Sequence, residues 1–216
     1  MKPGIRCSLA SVAVLGFLIN ASAAPLTDVQ QLLLVVPSDW KQVSTKMICF
    51  ERTNGNGEWR KWGRTVPVVL GRNGLGWGTG LHPTNHLQGP FKREGDGKSP
   101  AGIFRLSGAF GYAEPAGMKW IRLPYAQCTS ALECVDDPQS THYNSILERS
   151  KIVKPDWQSF EHMKRSDDLY ELGIFVDHNV SPTVGGRGSC IFMHIWEGRE
   201  IGTSGCTAMS RERLQD

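Results

Sequence analysis

Several kinds of chemistry are missing from this sequence. It has no Cys-x-x-Cys pair, which removes a thioredoxin-like redox role. There is no run of like charges, no heptad pattern and no internal repeat. The 24 basic and 21 acidic residues nearly cancel, to a formal +3. A nucleic-acid binder carries a strong basic footprint, so no nucleic-acid partner is expected. Residues 71–80 hold five glycines, but the following Leu81-His82-Pro83 opens no helix, so this is no dinucleotide cradle. It reads instead as a mobile loop beside a binding cleft. His82 and His86 have the spacing of a helical metal pair. Pro83 stands between them and no glutamate follows the first histidine, so no metal is expected there. Asp136 and Asp137 lack a partner carboxylate segment, which leaves glycosidase chemistry weak.

What is present begins with an export signal. Lys2 and Arg6 precede an apolar run from Leu9 to Ile19, and Ala21-Ser22-Ala23 is a small-x-small cleavage site. The run is short for a bilayer span, and no other stretch qualifies as one. Residues 1–23 therefore read as a signal peptide, with an uncleaved anchor as the alternative. Residues 24–216 read as a single domain in the periplasm or cell envelope, without stable membrane insertion after cleavage.

Export leads to an oxidising compartment. Without Cys7, five cysteines remain: Cys49, Cys128, Cys134, Cys190 and Cys206. The odd count leaves at least one free or intermolecular thiol. Cys128 and Cys134 enclose a short polar loop and are the disulfide candidate. A bridge between Cys49 and Cys190 stays open.

The pattern along the chain is mainly β. Gln31 to Val36 reads as a core strand ended by Pro37. Met47 to Arg52 meets Asn54-Gly55-Asn56-Gly57, a hairpin turn signal, and Glu58 to Arg64 is the return strand. Val66 to Leu70 reads as a third strand, with Pro67 confining it to an edge or a strand start. Lys92, Arg93 and Lys98 are expected in a solvated loop; contact with substrate carboxylates is the alternative. Asp137 is placed to cap a short helix at Pro138. Trp157, Phe160 and Met163 recur at helical spacing after Pro155, which predicts a packed amphipathic helix. Leu172 to Val176 is a buried strand leading to His178. Ser210 to Asp216 begins a helix, and the C-terminus reads as short.

Chemistry concentrates near the end of the chain. Ile191 to Trp196 reads as a strand delivering His194, and Thr203-Ser204-Gly205-Cys206 as a tight turn presenting a thiol. An imidazole nearby can take the thiol proton and raise its nucleophilicity. Gly205 permits close backbone approach, and the N–H groups of Gly205 and Cys206 are candidate donors to an oxyanion. His178 is the rival base, or a group supporting His194. A core cysteine and a satisfied core histidine are the plain alternative.

His194 followed by Thr203-Ser204-Gly205-Cys206-Thr207-Ala208-Met209 resembles the L,D-transpeptidase (YkuD-type) catalytic domain, in a subgroup carrying His-Ile/Val-Trp and Gly-Cys-Thr-Ala-Met segments. Ser99-Pro100-Ala101-Gly102-Ile103-Phe104 resembles a second family segment, a turn entering a strand. Ser204 stands where many members have a second histidine, and the spacer after His194 is shorter than in many.

The resemblance implies a mainly β, sandwich-like catalytic domain with α elements. It implies that Cys206 is the nucleophile and His194 the base, with Gly205 and Ser204 positioning the turn. The segment from Ala126 to Asn144 would be a lid or wall of the cleft. The implied substrates are peptidoglycan stem peptides, crosslinked through a thioester, with no cofactor and no metal. An L,D-carboxypeptidase or endopeptidase is one alternative and a non-catalytic peptidoglycan-binding module another.

Overall fold

The computed structural model of the protein describes residues 26–55 and 57–216. The expected signal peptide at 1–23 lies outside the described residues.

Thirteen short strands and one short helix make up most of the regular structure among the described residues. The first hairpin follows the expected pattern. β1 (Gln31–Val35) pairs antiparallel with β2 (Ser44–Glu51), which pairs with β3 (Arg60–Val69). The Gly57 N–H closes the turn onto Asn54 O at 3.0 Å. Val66 to Leu70 is not a separate strand. β3 runs through it, and a bulge on β3 between Trp62 and Val66, opposite Met47–Cys49 of β2, absorbs the register change. Pro67 is tolerated because the far side of β3 pairs only at Val69, which meets Ala208.

The Gly-rich stretch is packed rather than open. It carries β4 (Leu75–Trp77), paired with β5 (Ser99–Ala101). Gly74 has φ +77°, and a Cβ there would lie 2.0 Å from Trp40 O, so only glycine fits this approach. β6 (Leu106–Gly111) and β7 (Tyr125–Gln127) follow, then β8 (Leu132–Val135), β9 (Ile146–Glu148) and β10 (Phe160–His162). β11 (Leu172–Val176), β12 (Phe192–Ile195), β13 (Thr207–Met209) and α1 (Arg211–Gln215) complete the chain.

Eight strands form one mixed sheet in the order β1-β2-β3-β13-β12-β11-β6-β7, and β10-β8-β9 form a second, smaller sheet. Period-2 alternation sends side chains to opposite faces of the large sheet. Met47, Cys49, Val66, Val68, Met193 and Met209 cluster on one face. Phe110, Tyr170, Cys190, Phe192 and Cys206 cluster on the other, together with Cys128, Cys134 and Met163. The small sheet supplies Cys134, and Met163 follows its last strand, so this sheet covers the face that holds Cys206. A cavity of about 2160 Å³ lies along the opposite face and is lined by neither Cys206 nor His194.

Three expectations fail in the covering segment. Residues 155–163 form no helix. Phe160 to His162 pair antiparallel with β8 instead, and Trp157 is buried with its indole N–H on Glu133 Oε2 at 2.8 Å. A run this short between Pro155 and the charged Lys164–Asp168 stretch lacks the length to sustain a helix. Asp137 caps no helix. Its carboxylate accepts from the Gln139 and Gln158 N–H groups at 3.0 and 2.8 Å, closing a turn.

The disulfide is Cys134–Cys190, not Cys128–Cys134. Cys128 is held at the edge of the large sheet by its N–H bond to Gly111 O (2.7 Å), while Cys134 faces that sheet from β8. Cys190 adopts φ +54° just before β12 and meets Cys134 there. Cys49, Cys128 and Cys206 are free and buried. No helix among the described residues is long and apolar enough to cross a membrane.

Candidate active site

β12 and β13 run parallel with Met193 opposite Thr207 and His194 opposite Ala208. Parallel pairing keeps alternation in step, so Phe192 and His194 share a face with Cys206 and Ala208. Cys206 thus sits one strand across from His194, about 4.8 Å, and two residues back, about 6.6 Å. That diagonal is within the combined reach of a thiol and an imidazole.

The imidazole is oriented by its own strand. His194 Nδ1 lies 2.7 Å from Ile195 O. A carbonyl only accepts, so Nδ1 carries the proton and Nε2 keeps the lone pair a base requires. Tyr170 stacks edge-on against the ring at 5.1 Å between centroids. The Tyr170 hydroxyl donates to Glu161 Oε2 at 2.7 Å, and Arg165 lies over the Tyr170 ring at 5.0 Å. These contacts leave His194 little freedom to turn.

The thiol is held from two directions. Cys206 Sγ accepts from the Phe192 N–H at 3.3 Å and donates to Cys190 O at 3.6 Å. Among the described residues no hydrogen bond joins Sγ to His194, so the thiol proton rests on the Cys190 carbonyl. The Cys206 carbonyl accepts from Thr203 Oγ1 at 2.6 Å and Ser99 Oγ at 2.8 Å. Thr203 Oγ1 also accepts the Gly205 N–H at 3.1 Å. Gly205 is therefore not a free oxyanion donor. The Cys206 N–H, in contrast, has no partner among the described residues.

Electrostatics set both groups neutral at pH 7. Burial pushes the Cys206 thiol up to about 12; Glu161 acts in the same direction, and the Phe192 N–H, Lys92 and Arg165 oppose it. Burial lowers the His194 imidazole to about 4, against the pull of the Ile195 carbonyl and Asp167 and with the push of Arg165. No thiolate is stored in this arrangement. Any thiolate here needs a proton acceptor, and Nε2 is the free lone pair on the same face.

The other sequence candidates fall elsewhere. Ser204 is exposed, and its hydroxyl accepts from Arg72 at 3.0 Å. His178 is buried with both nitrogens on backbone: Nδ1 accepts the Thr79 N–H at 3.2 Å and Nε2 donates to Arg187 O at 2.9 Å. With no free lone pair it pins two loops and serves as no base. His82 lies among Trp77 and Phe104, with Nδ1 accepting the Ile103 N–H at 3.0 Å. Among the described residues no group of three or more His, Cys, Asp or Glu side chains is placed to hold a metal ion.

The sequence did not show the hydrogen bonds of Thr203 and Ser99 to the Cys206 turn, the contacts of Tyr170 and Glu161, or the burial of Lys92. Thr203 carried a usable signal, a hydroxyl two residues before a turn N–H. Lys92 carried another, an oppositely charged residue four positions on. Tyr170 and Glu161 carried none.

The chain matches the YkuD family, the L,D-transpeptidase catalytic domain, over residues 43–216. Comparisons with curated proteins and with solved structures gave no match. The matched span contains His194, Cys206, the Ser99 and Thr203 supports and every strand of the large sheet but β1. The chain belongs to the L,D-transpeptidase (YkuD) catalytic-domain family.

Proposed function

We propose that the protein is an exported L,D-transpeptidase that crosslinks peptidoglycan stem peptides through a thioester on Cys206. The observation that carries this reading is the placement of Cys206 and His194 on one face of adjacent parallel strands, with Nδ1 fixed on Ile195 O and Nε2 left as the base.

The thiol proton passes to His194 Nε2 as Sγ attacks the carbonyl carbon of an L,D peptide bond in a donor stem. The carbonyl oxygen becomes an oxyanion facing the open Cys206 N–H, a donor already fixed before charge develops. The C–N bond breaks, and the imidazolium returns the proton to the leaving amine. An acceptor-stem amine then attacks the thioester, giving its proton to His194. Collapse forms the new amide and expels the thiolate, which takes that proton back. This chemistry uses only these residues. Sγ is buried in the arrangement described, so entry of a stem requires the β10-β8-β9 sheet to shift.

The test is intact-mass detection of a thioester after incubation with disaccharide-peptide substrates, with products separated as dimers or monomers. The reading expects an adduct on Cys206, dimers among the products, and neither with Cys206→Ala. Hydrolysed monomers without dimers would make the protein an L,D-carboxypeptidase or endopeptidase. No adduct and no turnover would leave a peptidoglycan-binding module.

A further inference from the structure

Lys92 was expected in a solvated loop, yet it is 5% exposed. Its stem passes between two glycines. A Cβ on Gly188 would lie 3.0 Å from Lys92 Cε and Cγ, and a Cβ on Gly205 would lie 3.6 Å from Lys92 Nζ. The ammonium therefore stands against the turn that presents Cys206. A Gly205 Cβ would also come within 3.1 Å of Lys98 O, so the 92–98 loop as a whole packs on that turn.

The ammonium is anchored but not spent. Nζ donates to Asp96 Oδ1 at 2.6 Å and to Arg93 O at 2.8 Å, two of the three protons an ammonium carries. Asp96 is shared. Its Oδ1 also accepts the Lys98 N–H at 2.9 Å, and its Oδ2 accepts the Arg93 N–H at 2.8 Å. The two backbone donors hold the carboxylate in place, and Nζ rather than Asp96 is among the atoms nearest the Gly205 Cβ position, so the positive end of the pair is the one set against the turn. A buried charge without a nearby role is costly, and neutral residues could close the loop.

We infer that Lys92 is a positioning residue for the reaction, acting through Cys206 by holding a fixed positive charge beside the Gly205–Cys206 turn that stabilises the thiolate as it forms. The inference rests on the proposed role of Cys206 as nucleophile. Other charged or titratable groups face the thiol. Glu161 on β10 opposes the thiolate, and Arg165 beyond β10 supports it. His194 on β12 and Tyr170 before β11 share its face. Lys92 itself faces Asp96 and, across Gly188, the neutral His178. Among these groups Lys92 is the cation set against the nucleophile turn itself.

The experiment measures Cys206 alkylation by iodoacetamide against pH on the full-length protein, read by peptide mass, for wild type, Lys92→Met and Lys92→Arg. Methionine keeps an apolar stem, and Asp96 retains its two backbone donors. In Lys92→Met the log rate-versus-pH line should move by about one pH unit, a roughly tenfold slower reaction at fixed pH. Lys92→Arg should restore most of the rate. Labelling of the buried Cys49 and Cys128 should stay at wild-type level. An unmoved pH line, or faster labelling of all three cysteines together, would reduce Lys92 to a packing role and overturn the inference. Acyl transfer persisting in Cys206→Ala would instead overturn the proposed function, whatever Lys92 does.

Discussion

The carbonyl of Cys190 accepts the Cys206 thiol proton at 3.6 Å, while the sulfur of the same residue is bonded to Cys134 on the covering sheet. One residue thus touches the Cys206 thiol through its backbone and the covering sheet through its side chain. Any strain or release at the disulfide reaches the thiol through a single peptide unit.

Breaking that bond should both destabilise the protein and expose the Cys206 thiol. Cys134 and Cys190 are 56 residues apart, and a closed loop of that size contributes about 4 kcal/mol by loop-closure entropy. Cys134→Ala should therefore lower the urea midpoint substantially, and dithiothreitol should do the same to wild type but nothing further to the variant. Cys206 should also label faster with iodoacetamide, because the β10-β8-β9 sheet loses its tether. A midpoint insensitive to dithiothreitol would mean the bond is not formed in the purified protein.

Much of this arrangement was legible in the sequence. The strand carrying His194, the turn carrying Cys206 and the first hairpin each have a local signal: an apolar run, a Ser-Gly pair, an Asn-Gly cluster. The covering segment was not legible. Trp157, Phe160 and Met163 recur every three residues, which fits one helix face, but backbone pairing with β8 takes Phe160–His162 into a sheet. The disulfide was not legible because Cys128 and Cys134 are close in sequence, yet Cys128 follows β7 of the large sheet and Cys134 lies on β8 of the small one. Lys92 was misread because sequence gives the loop but not what packs on it. In each case a long-range contact overrode a local preference.

The two buried histidines should make the protein acid-sensitive. Burial lowers both His178 and His194 to about 4 from an ordinary value of 6.5. Between these values the unfolded chain binds protons that the native state refuses. Their contribution to stability is complete above pH 6.5, falls as pH drops, and stops changing below about 4. Each should steepen the loss by about 1.4 kcal/mol per pH unit within the window. Urea midpoints at pH 7.5, 6.0 and 5.0 check this, and His194→Phe should flatten the slope. The acid limb of catalysis should lie below that of an ordinary imidazole, and His194→Ala should cost about a hundredfold to ten-thousandfold in kcat/KM.

Thr203→Val should damage the turn without changing its shape. Valine is close in outline but loses the hydroxyl that accepts from Gly205 N–H and donates to Cys206 O. Leaving a buried group unpaired costs about 1–3 kcal/mol. Ser99 still holds the same carbonyl, so the Thr203→Val/Ser99→Ala pair should cost more than the two single changes summed. Urea unfolding gives the stability coupling. In acyl transfer, kcat should fall more than KM rises, since the misplaced atoms are those of the nucleophile.

Glu161 offers a change of opposite sign to Lys92. Its carboxyl accepts the Tyr170 hydroxyl at 2.7 Å, and the Tyr170 ring leans on His194. Burial raises the Glu161 carboxyl above its ordinary range, with the Tyr170 bond opposing, and its negative charge disfavours a Cys206 thiolate. Glu161→Gln keeps an acceptor for Tyr170 and removes the charge. Cys206 alkylation should therefore speed up several-fold, and the gain should shrink as pH falls and protonation of Glu161 removes that charge in the wild type. Glu161→Leu removes the charge and the acceptor together. It should share the faster alkylation but lose acyl transfer, because Tyr170 no longer fixes the imidazole. If the glutamine and leucine variants behave alike in both assays, Tyr170 orients His194 without help from Glu161, and the role of the covering sheet shrinks to shielding the thiol.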